Sequence, residues 1–96
     1  MTPRAKRSAI WAREHLAERY GMQPEVSWLP VKAGRQTDKV IYRCFVWRHM
    51  RSNNPFMSLK QIAIETGAMD HQTIWHGIRR AEYWENLLNE RLTLLA

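Results

Sequence analysis

The stretch Ser58–Glu82 constrains the fold more than any other part of the chain. It begins with Ser58, a good N-cap residue, and its first apolar side chains recur at i, i+3 and i+4, which is one stripe of a helix. Gly67 follows where a helix C-terminus favours a residue that tolerates the left-handed conformation. The sequence therefore predicts a helix over about Leu59–Thr66 that ends at a glycine turn.

A second helix is predicted directly after this turn. Asp70 can accept hydrogen bonds from the free amides of a first helical turn. Ile74, Ile78 and Ala81 then recur at i, i+4 and i+7 and supply a buried stripe. The small Ala63, four residues before the glycine, lets two helices approach closely at a steep angle. This pattern is typical of a helix-turn-helix over residues 58–82, whose second helix enters the DNA major groove.

Composition narrows the classes of protein and partner. The 96 residues form one domain, and 45% hydrophobic residues are ordinary for a globular chain. The formal charge of +6 favours a polyanionic partner, and no apolar run approaches the roughly 18 residues that cross a bilayer. The basic segment Met1–Arg7 is not followed by an apolar signal core. We expect a cytoplasmic protein associated with the nucleoid, with no membrane partner and no small-molecule substrate.

The residue types that support catalysis or metal binding lack the necessary spacing. Cys44 lies in an apolar run, which favours an inert buried thiol over a nucleophile. Neither a C-x-x-C nor an H-x-x-x-H motif occurs in the sequence. The histidines are His15, His49, His71 and His76. We therefore expect no metal, no cofactor and no enzyme activity.

The N-terminal half alternates predicted helices and loops. Residues 1–7 are expected to be a loose basic arm, which is either a solvated terminus or an arm that reaches phosphates or the minor groove. Ser8 is expected to cap a helix that runs to about Tyr20 and ends at Gly21. Its core candidates are Ile10, Ala17 and Tyr20, or Trp11 and Leu16.

The middle of the chain contains the most ambiguous element. Gln23–Leu29 allows a short helical turn, and Val31–Gln36 is a basic loop. Thr37–Arg51 is rich in β-branched and aromatic residues, which allows a strand. Its length, Thr37 as a plausible N-cap and the apolar spacing of Val40 and Cys44 favour a helix. The chain is thus expected to be an all-α compact bundle of five to six helices.

The C-terminal residues 83–96 are expected to be amphipathic and helical. No breaker follows Glu82, so either the preceding helix continues or a last helix folds back. The apolar side either completes the domain's own core or forms a protein interface. The candidate interface residues are Trp84, Leu87, Leu88 and Leu92.

The central stretch resembles the C-terminal DNA-binding domain, domain IV, of the bacterial replication initiator DnaA. That family has the pattern S-L-x-x-I-G … G-x-x-D-H-x-T-V-x-H-A-x-R-K-x-E. This chain has S-L-K-Q-I-A at Ser58–Ala63, Gly67, and D-H-Q-T-I-W-H-G-I-R-R-A-E at Asp70–Glu82. Upstream, A-E-R-Y-G at Ala17–Gly21 is similar to the end of the family's first helix. The likeness is collinear over most of the chain and strong over about a quarter of it.

The resemblance implies a Trp-repressor-like fold with the helix Asp70–Glu82 in the major groove. It also implies that Asp70 accepts a hydrogen bond from cytosine N4 and that His71 and Thr73 contact thymine. The chain departs from the family pattern at Met69, where a basic residue is usual, and at Gln72, where a small hydroxyl residue is preferred. The family's ATPase motif, G-x-x-x-x-G-K-[ST], does not occur in this sequence.

Helical geometry and the resemblance together give a set of candidate contacts with DNA. Ile74, Ile78 and Ala81 define the buried side of the second helix, and Trp75 is assigned to the core or its edge. The residues expected to contact bases are Asp70, His71, Gln72, Thr73 and His76. The residues expected to contact phosphates or a groove are Lys60, Arg79, Arg80, Arg35, Arg4, Lys6 and Arg7, and Arg79 is also suited to guanine O6 and N7.

The sequence therefore predicts a protein that binds double-stranded DNA sequence-specifically through a major-groove helix. A small transcriptional regulator, of a kind suited to phage-derived or mobile-element circuits, is the preferred interpretation. Two alternatives are a module that binds RNA polymerase or a replication factor, and a competitor at replication-origin sites. A homodimer or a protein partner is expected to add affinity to a lone DNA-binding domain.

Overall fold

A computed structural model of the protein describes residues 1–29 and 36–95. All the regular secondary structure in these residues is helical, which confirms the all-α class. The helices are α1 (Pro3–Tyr20), a 3₁₀ turn (Val26–Trp28), α2 (Thr37–Asn53), α3 (Leu59–Thr66) and α4 (His71–Leu95). Four of these elements are α-helices, so the expectation of five to six helices is wrong for the described part of the chain. No helix within it is long and apolar enough to cross a membrane.

The helix α2 lies at the centre of the bundle. It contacts α1, the 3₁₀ turn, α3 and α4, and every residue from Ile41 to Trp47 is buried. Because neighbours surround α2 on several sides, its apolar residues need not follow a single stripe, which explains why a strand was a reasonable alternative. The helix begins one residue earlier than expected, since Gln36 and not Thr37 occupies the N-cap position and Thr37 is the first helical residue.

The helix α1 packs against α2 through small side chains. Its buried apolar residues are Ala5, Ala9, Ala12 and Leu16. The hydroxyl of Tyr42 on α2 donates to the carbonyl oxygen of Ala9 at 3.1 Å. Of the predicted core candidates in α1 only Leu16 is fully buried; Ala17 and Trp11 are exposed, while Ile10 and Tyr20 are half-buried. Alanines allow the two helices to approach closely, a role that hydrophobicity alone does not reveal.

The start of α1 differs from the sequence-based expectation. The Thr2 side chain caps the helix by accepting from the Ala5 N–H at 3.3 Å, and Pro3 is the first helical residue. Ser8 is buried within α1 and hydrogen-bonds His49 instead of capping the helix. Residues 3–7 are therefore helical, and the predicted loose arm is wrong for them. The predicted end at Gly21 is confirmed, since that glycine has φ 69°.

The connection from α3 to α4 follows its predicted local chemistry. The Ser58 hydroxyl accepts from the Gln61 N–H at 3.1 Å, so the predicted N-cap of α3 is confirmed. Gly67 has φ 74°, and its N–H donates to the carbonyl of Ala63. Only residues 67–70 separate the two helices, which places the last turn of α3 next to the first turn of α4.

The helix α4 is continuous to Leu95, so residues 83–95 extend the second helix and do not fold back. Its 25 residues span roughly 37 Å at 1.5 Å per residue, close to the 40 Å longest dimension of the molecule. Two contacts fix its second half. Arg48 of α2 pairs with Glu85 at 2.9 Å, and the Tyr20 hydroxyl donates to Asn89 at 2.8 Å.

Candidate nucleic-acid interface

The first turn of α4 is held by Asp70. One carboxylate oxygen, Oδ1, accepts hydrogen bonds from the Thr73 N–H at 2.9 Å and from the Thr73 hydroxyl at 3.1 Å. These hydrogen bonds, the backbone one first, lower the pKa of Asp70 below its ordinary value. The Thr73 hydroxyl is thereby oriented towards Asp70, and the cap fixes both side chains at the end of the helix.

The side of α4 opposite its buried stripe is open to solvent. Ile74 and Ala81 are fully buried, and Gln72, His76 and Arg79 are exposed, as helical geometry predicted. His71 and Arg80 are exposed as well. Between the Asp70 cap and Glu82 no carboxylate occurs, so this part of α4 presents basic and neutral polar groups.

Trp75 belongs to this exposed side and not to the core. Its side chain is 45% exposed, so its assignment to the core or its edge is wrong. The Arg79 guanidinium carbon lies 4.4 Å from the indole centroid, and the His76 ring meets the indole edge-on at 5.4 Å. We define the exposed face of α4 as Gln72, Trp75, His76 and Arg79. Within it, the ring of Trp75 contacts both His76 and Arg79.

Gly77 determines how closely α4 packs against α2. A Cβ atom at this position would come within 2.6 Å of Cζ3 of Trp47, and closer still to Cε3. Trp47 is itself fixed, since it is 4% exposed and its indole N–H donates to the Thr66 hydroxyl at 3.0 Å. The Thr66 hydroxyl in turn donates to the Ile62 carbonyl. This chain of contacts links α2, α3 and α4 directly beneath the exposed face of α4.

A groove of about 420 Å³ runs between α2 and the first three turns of α4. Its apolar residues include Val40, Cys44 and Trp47, and its polar residues include Thr73 and Arg80. Burial raises the pKa of the Cys44 thiol to about 11, which keeps it protonated and agrees with the expected inert thiol. No group of three or more His, Cys, Asp or Glu residues within 1–29 and 36–95 could hold a metal ion.

Three of the predicted phosphate contacts are exposed outside α4, one on α3 and two on α1. Lys60 lies in the first turn of α3, where free amides also favour an anion, and its side chain is exposed. Lys6 and Arg7 are exposed on the first turns of α1. Arg35 and most of the predicted loop Val31–Gln36 lie outside the described residues.

Arg4 differs from these three because it pairs with Glu65 of α3. Its guanidinium donates from Nε to both carboxylate oxygens, at 2.8 Å and 3.1 Å, and from Nη2 to one of them. Thr2 and Gln61 also donate to this carboxylate, whose side chain is only 2% exposed. These interactions, the hydrogen bond from Arg4 first, lower the pKa of Glu65 to about 2. Arg4 thus anchors α1 to α3, and the sequence offered no sign of this role.

The C-terminal interface candidates divide into two groups. Leu88 is 7% exposed and belongs to the core, so it is not available as an interface residue. Trp84 and Leu87 are half-buried, while Leu92 is 38% exposed. The apolar side chains most open to solvent are farther along, at Leu94 and Leu95, with 81% and 86% exposure.

No family model, curated protein or solved structure matches this chain. Its function is therefore inferred from its own residues.

Proposed function

We propose that this protein binds double-stranded DNA sequence-specifically, with the N-terminal half of α4 in the major groove. In this proposal α3, the connection 67–70 and α4 form a helix-turn-helix of the Trp-repressor-like type, related to domain IV of the initiator DnaA. Its expected role is that of a small transcriptional regulator, associated with the nucleoid and of phage or mobile-element type.

One observation carries the proposal: in the first three turns of α4, exposed polar and basic side chains lie on a helix that is rigidly packed against the bundle. Gln72, His76 and Arg79 point into solvent, and the contact between Trp47 and Gly77 fixes the helix from behind. Amide and guanidinium groups of this kind hydrogen-bond the major-groove edges of adenine and guanine. The net charge of +6 supplies the attraction to phosphates.

The remaining predicted residues take complementary roles. Asp70, His71 and Thr73 are proposed to contact bases next to the first turn of α4. Lys60 and Arg80 are proposed to contact phosphates on either side, which fixes the register without reading sequence. One carboxylate can cap a helix and accept from cytosine N4, so the cap does not compete with a base contact by Asp70.

The test is a selection of binding sites from random duplexes, followed by titration of the enriched duplex against a scrambled one. We expect a single enriched motif. His71→Ala and Arg79→Ala should each reduce discrimination at a separate base pair by roughly 5- to 100-fold, because one good base contact contributes about 1–3 kcal/mol. If both variants select the wild-type motif with unchanged discrimination, the proposed face is wrong.

Arg91→Ala is the matched control. Arg91 is an exposed arginine on the same helix, twelve residues after Arg79, or roughly 18 Å along the helix axis. Its replacement removes the same charge outside the proposed interface. We expect Arg91→Ala to leave base preference unchanged, so an equal loss for both arginine variants would indicate a general charge effect.

A second candidate function is a module that binds a protein such as RNA polymerase or a replication factor. The exposure of Leu92, Leu94 and Leu95 at the end of α4 favours it. The salt dependence of DNA affinity separates the two functions, since a slope of several units indicates phosphate neutralisation. Absence of DNA binding at about 50 mM salt would favour the protein partner. A competitor at replication origins would instead select the initiator's own site.

A homodimer is proposed on the same exposed leucines. Light scattering of the wild type and of a variant with Leu92 and Leu95 changed to serine tests it. A dimeric wild type and a monomeric, folded variant would support the dimer; a monomeric wild type at tens of micromolar would exclude it as a source of added affinity.

A further inference from the structure

Trp75 has an environment that core packing does not explain. It is 45% exposed although it lies between Ile74 and Gly77, both of which are buried. The polar residues that touch its ring, His76 and Arg79, both belong to the exposed face of α4. A large apolar side chain that is 45% exposed and contacts two polar neighbours is better placed to orient surface groups than to stabilise the core.

The contact between Trp75 and Arg79 has the geometry of a cation–π interaction. The distance of 4.4 Å is shorter than those of the other arginine or lysine pairs with aromatic rings in the described residues, which are 4.9, 5.7 and 5.9 Å. Tryptophan is the best aromatic partner for a guanidinium. The pair is spaced i, i+4, so both side chains rise from the same side of the helix.

A guanidinium that rests on a ring is restricted in orientation but keeps donors available at its edge. Guanine presents O6 and N7 as two neighbouring acceptors, and the planar guanidinium matches them with two parallel N–H groups. A phosphate contact needs only a positive charge, which a freely rotating lysine or arginine supplies equally well. Restriction of Arg79 therefore has more value for reading a base than for neutralising a phosphate.

We infer that Trp75 is a positioning residue that aims Arg79 at the edge of a guanine in the major groove. The inference rests on the proposed function and adds to it one specific feature of the target site. Arg79 lies eight residues beyond His71, which is roughly 12 Å along the helix. For a helix lying along the groove, the guanine is about three to four base pairs from the pair that His71 contacts.

The experiment measures base preference and salt dependence for three variants. Arg79→Lys keeps the charge but loses the planar donor pair, and we expect a loss of preference for one G·C pair by roughly 5- to 100-fold with an unchanged salt slope. Trp75→Leu should weaken preference at the same G·C pair by roughly 3- to 10-fold. Trp75→Phe, which keeps a ring, should fall between the wild type and Trp75→Leu.

A double variant and a matched control separate positioning from a general surface effect. Adding Trp75→Leu to Arg79→Lys should cause no further loss at the G·C pair, because the group that Trp75 orients is already absent. Tyr83→Leu is the control, since Tyr83 is another exposed aromatic residue on α4, at 60% exposure. It should bind the motif as the wild type does. Circular dichroism and thermal melting should show all variants folded.

Each contrary experimental outcome leads to a different conclusion. A wild type that shows no preferred motif overturns the proposed function and this inference together. A selective wild type whose motif is unaffected by Trp75→Leu and Arg79→Lys overturns only the inference. If Arg79→Ala weakens all duplexes equally and lowers the salt slope by about one unit, Arg79 contacts a phosphate and the inference is wrong. If Trp75→Leu alters a base pair that Arg79→Lys does not, Trp75 contacts DNA itself and does not position Arg79.

Discussion

The start of α1 and the first three turns of α4 both contain arginines, but these arginines have different partners. In α1, Arg4 pairs with Glu65, a carboxylate that is buried between the helices. In α4, Arg79 rests on the exposed ring of Trp75, and no acidic residue lies on that stretch of helix. One arginine joins two helices of the bundle, and the other remains available to a partner.

The difference shows that the density of positive charge does not by itself locate a binding surface. A buried carboxylate is costly unless it is paired and hydrogen-bonded, so Glu65 requires a nearby donor. Arg4, Thr2 and Gln61 meet that requirement. The exposed face of α4 contains no such group, which leaves its cations for phosphates or bases.

The largest expected effect concerns the carboxylate that anchors α1. Glu65→Gln keeps the volume but removes the charge that accepts hydrogen bonds from Arg4. We expect the free energy of unfolding to fall by about 2 kcal/mol, because hydrogen bonds to charged groups are stronger than neutral ones. Urea denaturation near pH 7 measures it. Glu82→Gln, at an exposed carboxylate on α4, should change stability by less than about 0.5 kcal/mol. Equal losses would remove the contrast between the two regions.

The same carboxylate predicts how acid affects stability. The pKa of Glu65 is lowered from 4.5 to about 2 in the folded protein, first by the hydrogen bond from Arg4. Because the folded pKa lies below the unfolded one, the stabilisation is present above pH 4.5 and is lost as the pH falls towards about 2. We expect the stabilities of the wild type and Glu65→Gln, measured by urea denaturation, to converge over this range. A constant difference down to pH 2 would show that the ion pair does not contribute.

The close packing of α4 against α2 at Gly77 predicts a smaller effect on stability. Gly77→Ala adds a methyl group against Trp47 and should cost about 1 kcal/mol, since overpacking of about 1–3 kcal/mol exceeds the gain in helix propensity of roughly 1 kcal/mol. Thermal unfolding measures the change. In a Trp47→Leu background the same substitution should become neutral or stabilising. A destabilisation that persists in that background would show that Gly77 is needed for another reason.

The smallest expected effect concerns the exposed cations of α1. Replacing Lys6 and Arg7 with glutamine should weaken binding to all duplexes alike and lower the salt slope by about one to two units, because phosphate contacts carry no sequence information. Titrations of the selected and scrambled duplexes at several salt concentrations measure both quantities. Altered base preference in this variant would contradict the division of roles between α1 and α4.

Local sequence signals predicted much of the fold. Ser58, Gly67 and Asp70 marked the limits of α3 and the start of α4, because each acts on backbone groups within a few residues. Gly21 marked the end of α1 in the same way. The apolar spacing in α4 identified Ile74 and Ala81 as buried. Such features need no knowledge of distant parts of the chain.

Signals of the same kind failed where two local preferences competed. Ser8 and Thr2 are both good N-cap residues, and the helix begins at the earlier one, where Pro3 suits the first helical turn. The absence of a breaker after Glu82 allowed either one long helix or two. In the structure the helix is continuous, and the contacts of Arg48 with Glu85 and of Tyr20 with Asn89 join its second half to α2 and α1.

The sequence by itself determined the helical class, the turn between α3 and α4 and the side of α4 that faces solvent. Only the tertiary structure decided that Arg4 is paired, that Trp75 is exposed and that Gly77 receives the ring of Trp47. The physical reason is distance along the chain: caps and helical stripes act within about one or two turns. Arg4 and Glu65 are 61 residues apart in sequence and meet only when α1 packs beside α3.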